Sequence, residues 1–126
     1  MTLEVEFYSE AFDPFLPEGS QISFERYGAE LTWWLCQKLA AEGIYTSYPS
    51  FEDWGWFLKY TKDTNEYRLC CGNIDSKENW WRLILQPRSK TWFGFKKMSV
   101  TGAKDLLNAV DKVLTESELI DQIKWI

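Results

Sequence analysis

Between residues 54 and 95, apolar groups switch sides of the chain at every step in four short runs, which constrains the fold more than any other feature. Trp54, Trp56, Leu58 and Tyr60 alternate with Gly55, Phe57 and Lys59. Tyr67, Leu69 and Cys71 oppose Arg68 and Cys70. Trp81, Leu83 and Leu85 alternate with Trp80, Arg82 and Ile84, and Trp92-Phe93-Gly94-Phe95 forms the last run. Successive residues of a strand face opposite sides of its sheet, so this period of two predicts strands with one face on a core. The runs are separated by Lys62-Asp63-Thr64-Asn65, by Ile74 to Asn79, and by Gln86-Pro87-Arg88-Ser89-Lys90. Connections this short join antiparallel neighbours, because a parallel crossover needs a dozen residues or more. An antiparallel meander is the expectation.

Both flanks of the meander read differently. Leu3, Val5 and Phe7 alternate with Glu4 and Glu6 as a first strand, and Asp13-Pro14-Phe15-Leu16-Pro17-Glu18-Gly19-Ser20 breaks it. Ser23 can cap a helix whose residues Phe24, Tyr27, Leu31, Trp34, Leu35 and Leu39 share one side, with Gly43 just past its end. After the meander, Ser99 or Thr101 can cap a second helix with the stripe Ala103, Leu106, Leu107, Val110, Val113 and Leu114. Thr115-Glu116-Ser117-Glu118 interrupts it, and Leu119, Ile120 and Ile123 suggest a last helical turn or two, with Trp125 and Ile126 packing back on the domain. The element order is β-α-β-β-β-β-α. The expected fold is α+β: an antiparallel sheet of about five strands with two main helices on one face. No linker or shift of composition divides the 126 residues, so residues 1–126 read as a single domain.

The aromatic count is high, with eight Trp, eight Phe and six Tyr. A ring buries a large area, so many of these belong to the core, and the surplus becomes a contact surface. Trp34 and Trp56 lie with apolar neighbours and are assigned to the core. Trp33 sits about 100° from Trp34 around the helix. Trp80 shares a strand face with Arg82. Trp33 and Trp80 are therefore the candidate exposed anchors, with Glu30 and Glu52 as nearby acids, because interfaces are enriched in Trp and Tyr.

Catalytic residues are scarce. The chain has no histidine, which excludes Ser-His-Asp and Cys-His nucleophile pairs and the commonest general base and metal ligand. No Gly-rich loop matches a phosphate-binding fingerprint. Cys36, Cys70 and Cys71 form no disulfide framework, and adjacent strand residues Cys70 and Cys71 point to opposite faces. No metal, cofactor or catalytic residue is expected. Glu52 and Asp53 beside Trp54 and Trp56 invite a glycosidase reading, but the two acids are adjacent, whereas such an enzyme needs carboxylates facing across ~5–9.5 Å. Asp53, Trp54 and Trp56 could instead line an aromatic pocket that binds a small ligand or sugar, or hydrolyses one weakly, and this is the alternative reading.

A net charge of −5 disfavours direct nucleic-acid contact, although Arg82, Arg88, Lys90, Lys96 and Lys97 gather near Trp92, Phe93 and Phe95. The N-terminal run Met1 to Phe7 carries acids where a signal peptide carries bases, and no stretch approaches a membrane span, so a cytoplasmic protein is expected.

Tyr27-Gly28, Glu52-Asp53-Trp54-Gly55-Trp56, Cys71-Gly72-Asn73 and Ile123-Lys124-Trp125 together resemble a family of small bacterial proteins marked by the Glu-Asp-Trp-Gly-Trp run. The resemblance brings no catalytic residue with it. By analogy of build, it implies an immunity-like protein that blocks a toxin or effector. Inhibition of a nucleic-acid-processing complex by acidic mimicry differs from this reading only in the partner. The expected activity is binding to a protein partner.

Overall fold

The computed structural model describes residues 4–12, 28–52, 55–74, 77–88 and 100–126. Its elements are β1 (Glu4–Tyr8), α1 (Ala29–Ala41), β2 (Ser50–Glu52), β3 (Gly55–Lys62), β4 (Asn65–Asn73), β5 (Trp80–Arg88), α2 (Lys104–Glu116) and β6 (Asp121–Trp125). A 3-10 turn, Val100–Ala103, leads into α2. The six strands form one antiparallel sheet in the order β2-β3-β4-β5-β1-β6. The class is α+β, as the alternating runs and the two apolar helix stripes imply.

Both helices cover the same face. Val5 and Phe7 of β1, Leu58 and Tyr60 of β3, Tyr67, Leu69 and Cys71 of β4, and Trp81, Leu83 and Leu85 of β5 are buried there. They meet Leu31, Leu35 and Leu39 of α1 and Leu106, Leu107, Val110, Val113 and Leu114 of α2. Burying each such aliphatic side chain stabilises the fold by about 1.5–3 kcal/mol. Trp81 is buried with its indole N–H donating to the Ser9 carbonyl at 3.1 Å, and it meets Phe12 edge-on, as does Trp34. The opposite face of the sheet is mostly polar, with Glu4, Glu6, Lys59, Arg68, Arg82 and Lys124. Phe57 is buried on that side under the Arg68 guanidinium, 4.7 Å from its ring, and Tyr8, Cys70, Trp80 and Ile84 share the face.

Local chemistry sets the helix ends. Gly43 adopts φ 83°, a conformation open to glycine without steric cost. The Gly43 N–H donates to the Ala40 carbonyl at 3.0 Å and the Ile44 N–H to the Leu39 carbonyl at 2.9 Å, which is the Schellman arrangement. At the other end of α1, Gly28 occupies the N-cap position without a side-chain cap. A Cβ there would stand 2.9 Å from the Cys71 carbonyl oxygen and 3.4 Å from Trp56 Cδ1. The missing side chain lets the helix start press directly on β3 and β4.

The structure departs from the sequence reading chiefly at the C-terminus and the helix ends. The segment after α2 is a strand: β6 pairs with β1, and the Ile126 N–H donates to the Glu4 carbonyl at 2.9 Å. Ile123 and Trp125 alternate inward, and a helix there would have left the edge of β1 unpaired. Trp125 packs on the core as expected, while Ile126 remains 51% exposed. The second helix takes Ala103 as its N-cap, with no side-chain cap, and runs through Thr115 to Glu116. The short strand β2 precedes the meander, which starts at Gly55. The Ser23 cap and the run Trp92 to Phe95 lie outside the described residues.

Candidate functional site

The loop from α1 to β2 is built to hold aromatic rings outward. Its backbone is tied on both sides. The Ser47 N–H donates to the Lys59 carbonyl at 2.8 Å, and the Lys59 N–H returns to Ser47 Oγ at 2.9 Å. Cys36 Sγ of α1 lies 3.6 Å from the Ser47 carbonyl oxygen and 3.6 Å from Thr46 Oγ1. With Thr46 and Ser47 pinned to helix and sheet, their neighbours Tyr45 and Tyr48 face solvent, 75% and 77% exposed. Pro49 fits the following edge position because it has no N–H to offer a ladder.

Two further rings stand beside them. Trp33 of α1 is 40% exposed and its ring lies 5.8 Å from that of Tyr48, tilted by 40°. Phe51, the middle residue of β2, is 64% exposed and rests 5.3 Å from the Trp56 ring. β2 is the outermost strand at this end of the sheet. Trp33 and Tyr48 in contact, with Tyr45 three residues before Tyr48 and Phe51 three residues after it, are thus exposed along the stretch that leads into the edge strand, with exposed Glu52 beside Phe51. Aromatic residues are large, stiff and amphipathic, so an exposed group of them is the usual centre of a protein-binding surface.

The anchors and acids read from the sequence divide between the two sides of the sheet. Trp33 and Glu52 belong to this edge. Glu30 is buried, 7% exposed, which corrects its expected place among surface acids. The first turn of α1 is pressed on β3 and β4 by the Gly28 contact, and Glu30 goes in with it. Trp80 is half-buried on the sheet face away from the helices, opposite Tyr8 in register and in edge contact with it at 5.5 Å. Trp33 and Trp80 therefore do not form one surface. Of the alternative pocket residues, Trp56 is buried, 9% exposed, and offers no open ring face to a sugar. Asp53 and Trp54 lie outside the described residues, as do Lys90, Lys96, Lys97, Trp92, Phe93 and Phe95.

Tyr45, Tyr48 and Phe51 were missed as site residues. Their signal is legible afterwards: three rings spaced three apart in a Pro-containing stretch that follows neither the strand nor the helix period, so neither core face claims them.

Neither Cys70 nor Cys71 supplies a reactive thiol. Burial pushes the Cys71 thiol up to about 12 and the Cys70 thiol up to about 11, the latter partly offset by Arg68. Both stay protonated at neutral pH, and the thiol form is a poor nucleophile and a poor ligand. Among the described residues, no helix is long and apolar enough to cross a membrane.

No family model, curated protein or solved structure matches the chain.

Proposed function

We propose that this chain is a non-catalytic protein-binding module of the immunity type, working in the cytoplasm, which silences a toxin or effector by covering its working surface. The observation that carries the reading is the edge cluster Trp33, Tyr45, Tyr48 and Phe51, four large rings left open beside an edge strand. Exposed aromatic patches of this kind mark interaction sites. A rigid ring loses little conformational freedom on filling a partner pocket, so the cost of binding is low for the area buried. The net charge of −5 adds long-range attraction for a basic partner.

The test places a photoreactive side chain at position 48 in the native host, and at Gln86 on the opposite sheet face as a control. The protein captured through position 48 is then purified and its activity titrated with the chain. Stoichiometric inhibition is expected, weakened about 10- to 100-fold by Tyr48→Ala or Phe51→Ala, the range of an interface anchor. Capture through position 86 alone, or turnover of a small molecule that depends on one carboxylate, would defeat the reading.

A further inference from the structure

We propose that free copies of this chain pair with one another about a two-fold axis through β2, each covering the aromatic edge of the other until a partner displaces it. This goes beyond partner binding, since it concerns what occupies the same edge when no partner is present.

A ring of this size offers about 150–250 Å², and the four stand 40–77% exposed, so together they leave on the order of 500 Å² open. The largest apolar patch on a monomer is typically about 300–600 Å² and often marks an interaction site. Each side of a stable interface contributes about 800 Å². The rings supply more than half of that, and the backbone edge of β2 with the preceding loop adjoins them.

The edge is also self-complementary. An edge strand presents unpaired N–H and C=O groups, and most homo-oligomers are two-fold dimers in which the same patch meets itself. If β2 pairs antiparallel with its own copy about Phe51, Phe51 faces Phe51 and each Ser50 faces a Glu52. Directly opposed side chains in such a pair stand about 4.5–5.5 Å apart at Cβ. The two phenyl rings then meet on the helix side, next to Trp56. On the other side a serine hydroxyl faces a carboxylate that accepts its hydrogen bond. No like charges oppose one another in this register, whereas centring the axis on Glu52 would set two carboxylates face to face. The contact is apolar while each copy carries a charge of −5, so added salt screens the repulsion and strengthens pairing.

The experiment is sedimentation of the full chain from low micromolar to several hundred micromolar. A monomer–dimer equilibrium is expected within that range, tightening with salt. Phe51→Asp weakens it at least about tenfold by opposing two carboxylates in one pair, with circular dichroism and the urea midpoint reporting an intact fold. Phe51→Cys forms a disulfide-linked dimer under mild oxidation, because opposed strand residues lie within disulfide reach. The unmodified chain and Gln86→Cys stay unlinked. A monomer throughout, a dimer indifferent to Phe51→Asp, or no link through position 51 overturns the proposal. Each of those results leaves the partner reading standing, since that is read by inhibition of the captured protein.

Discussion

Gly28 and Cys71 approach so closely that a single methyl group on the glycine would lie 2.9 Å from the cysteine's carbonyl oxygen. This contact seats the start of α1 on the middle of the sheet, buries Glu30, and turns the outer side of the helix, with Trp33, toward the edge cluster. The neighbouring atom is backbone in the centre of a ladder and has little room to yield. Gly28→Ala is expected to destabilise the fold by about 1–3 kcal/mol, the cost of overpacking a close contact, read as a lower urea midpoint at unchanged slope. An unchanged midpoint would show that α1 does not press on β4 there.

Gly102 poses a similar constraint against a side chain. A Cβ on it would stand 2.6 Å from the hydroxyl oxygen of Tyr67, which is fully buried, and 3.5 Å from the ring carbon that carries the hydroxyl. Gly102→Ala is expected to destabilise the native chain by about 1–3 kcal/mol. In a Tyr67→Phe background the clashing atom is gone, and the same substitution should cost much less. A double-mutant cycle in urea measures the difference, and purely additive effects would contradict the contact.

Lys62 and Asp105 tie the end of β3 to the first turn of α2. The Lys62 ammonium, by hydrogen bond and charge, holds the Asp105 carboxyl below its ordinary value, and Asp105 in turn raises Lys62. The sign follows from linkage. Because Asp105 is depressed in the fold, its contribution is present above the ordinary carboxylate value near pH 4 and is lost as pH falls through the lowered one. Lys62 contributes below the ordinary lysine value and loses this as pH rises through its raised one. Asp105→Asn should therefore differ in stability from the parent chain at neutral pH, with the gap closing below roughly pH 4. Both groups are exposed, so the gap is small. A gap that persists in acid would refute the pairing.

Burial raises the thiols of Cys70 and Cys71 to about 11 and about 12. At pH 8 the thiolate fraction of Cys70 is then about two orders of magnitude below that of an ordinary cysteine. Alkylation followed by mass spectrometry should find both residues modified only slowly in the folded chain and rapidly in denaturant. Rapid modification of Cys70 in the native state would place it in a more open or more electropositive setting than the sheet face provides.

The strands of the meander were legible because each carries its own evidence: Leu58, Tyr60, Leu69, Leu83 and Leu85 fall on one side by period alone, and the turns between them are short. The stripe of α2 was legible for the same reason. The last strand was not, since Leu119, Ile120 and Ile123 fit a helical spacing as well as Ile123 and Trp125 fit a strand. Only the open edge of β1 decides between them, and that edge belongs to residues more than a hundred positions earlier. Among the anchors, Trp33 is an exposed ring, as its offset from the apolar stripe suggests.

The sequence by itself determined the α+β class, the antiparallel pairing of the central strands and the two apolar helix faces, since periodicity and turn length are local properties. Tertiary structure decided which exposed rings share a surface. Trp33 and Tyr48 come from a helix and a loop, and their rings meet only because Gly28 seats α1 on the sheet and Ser47 pins the loop to β3, beside the edge strand that carries Phe51. Proximity between distant segments depends on packing, and no local pattern encodes it.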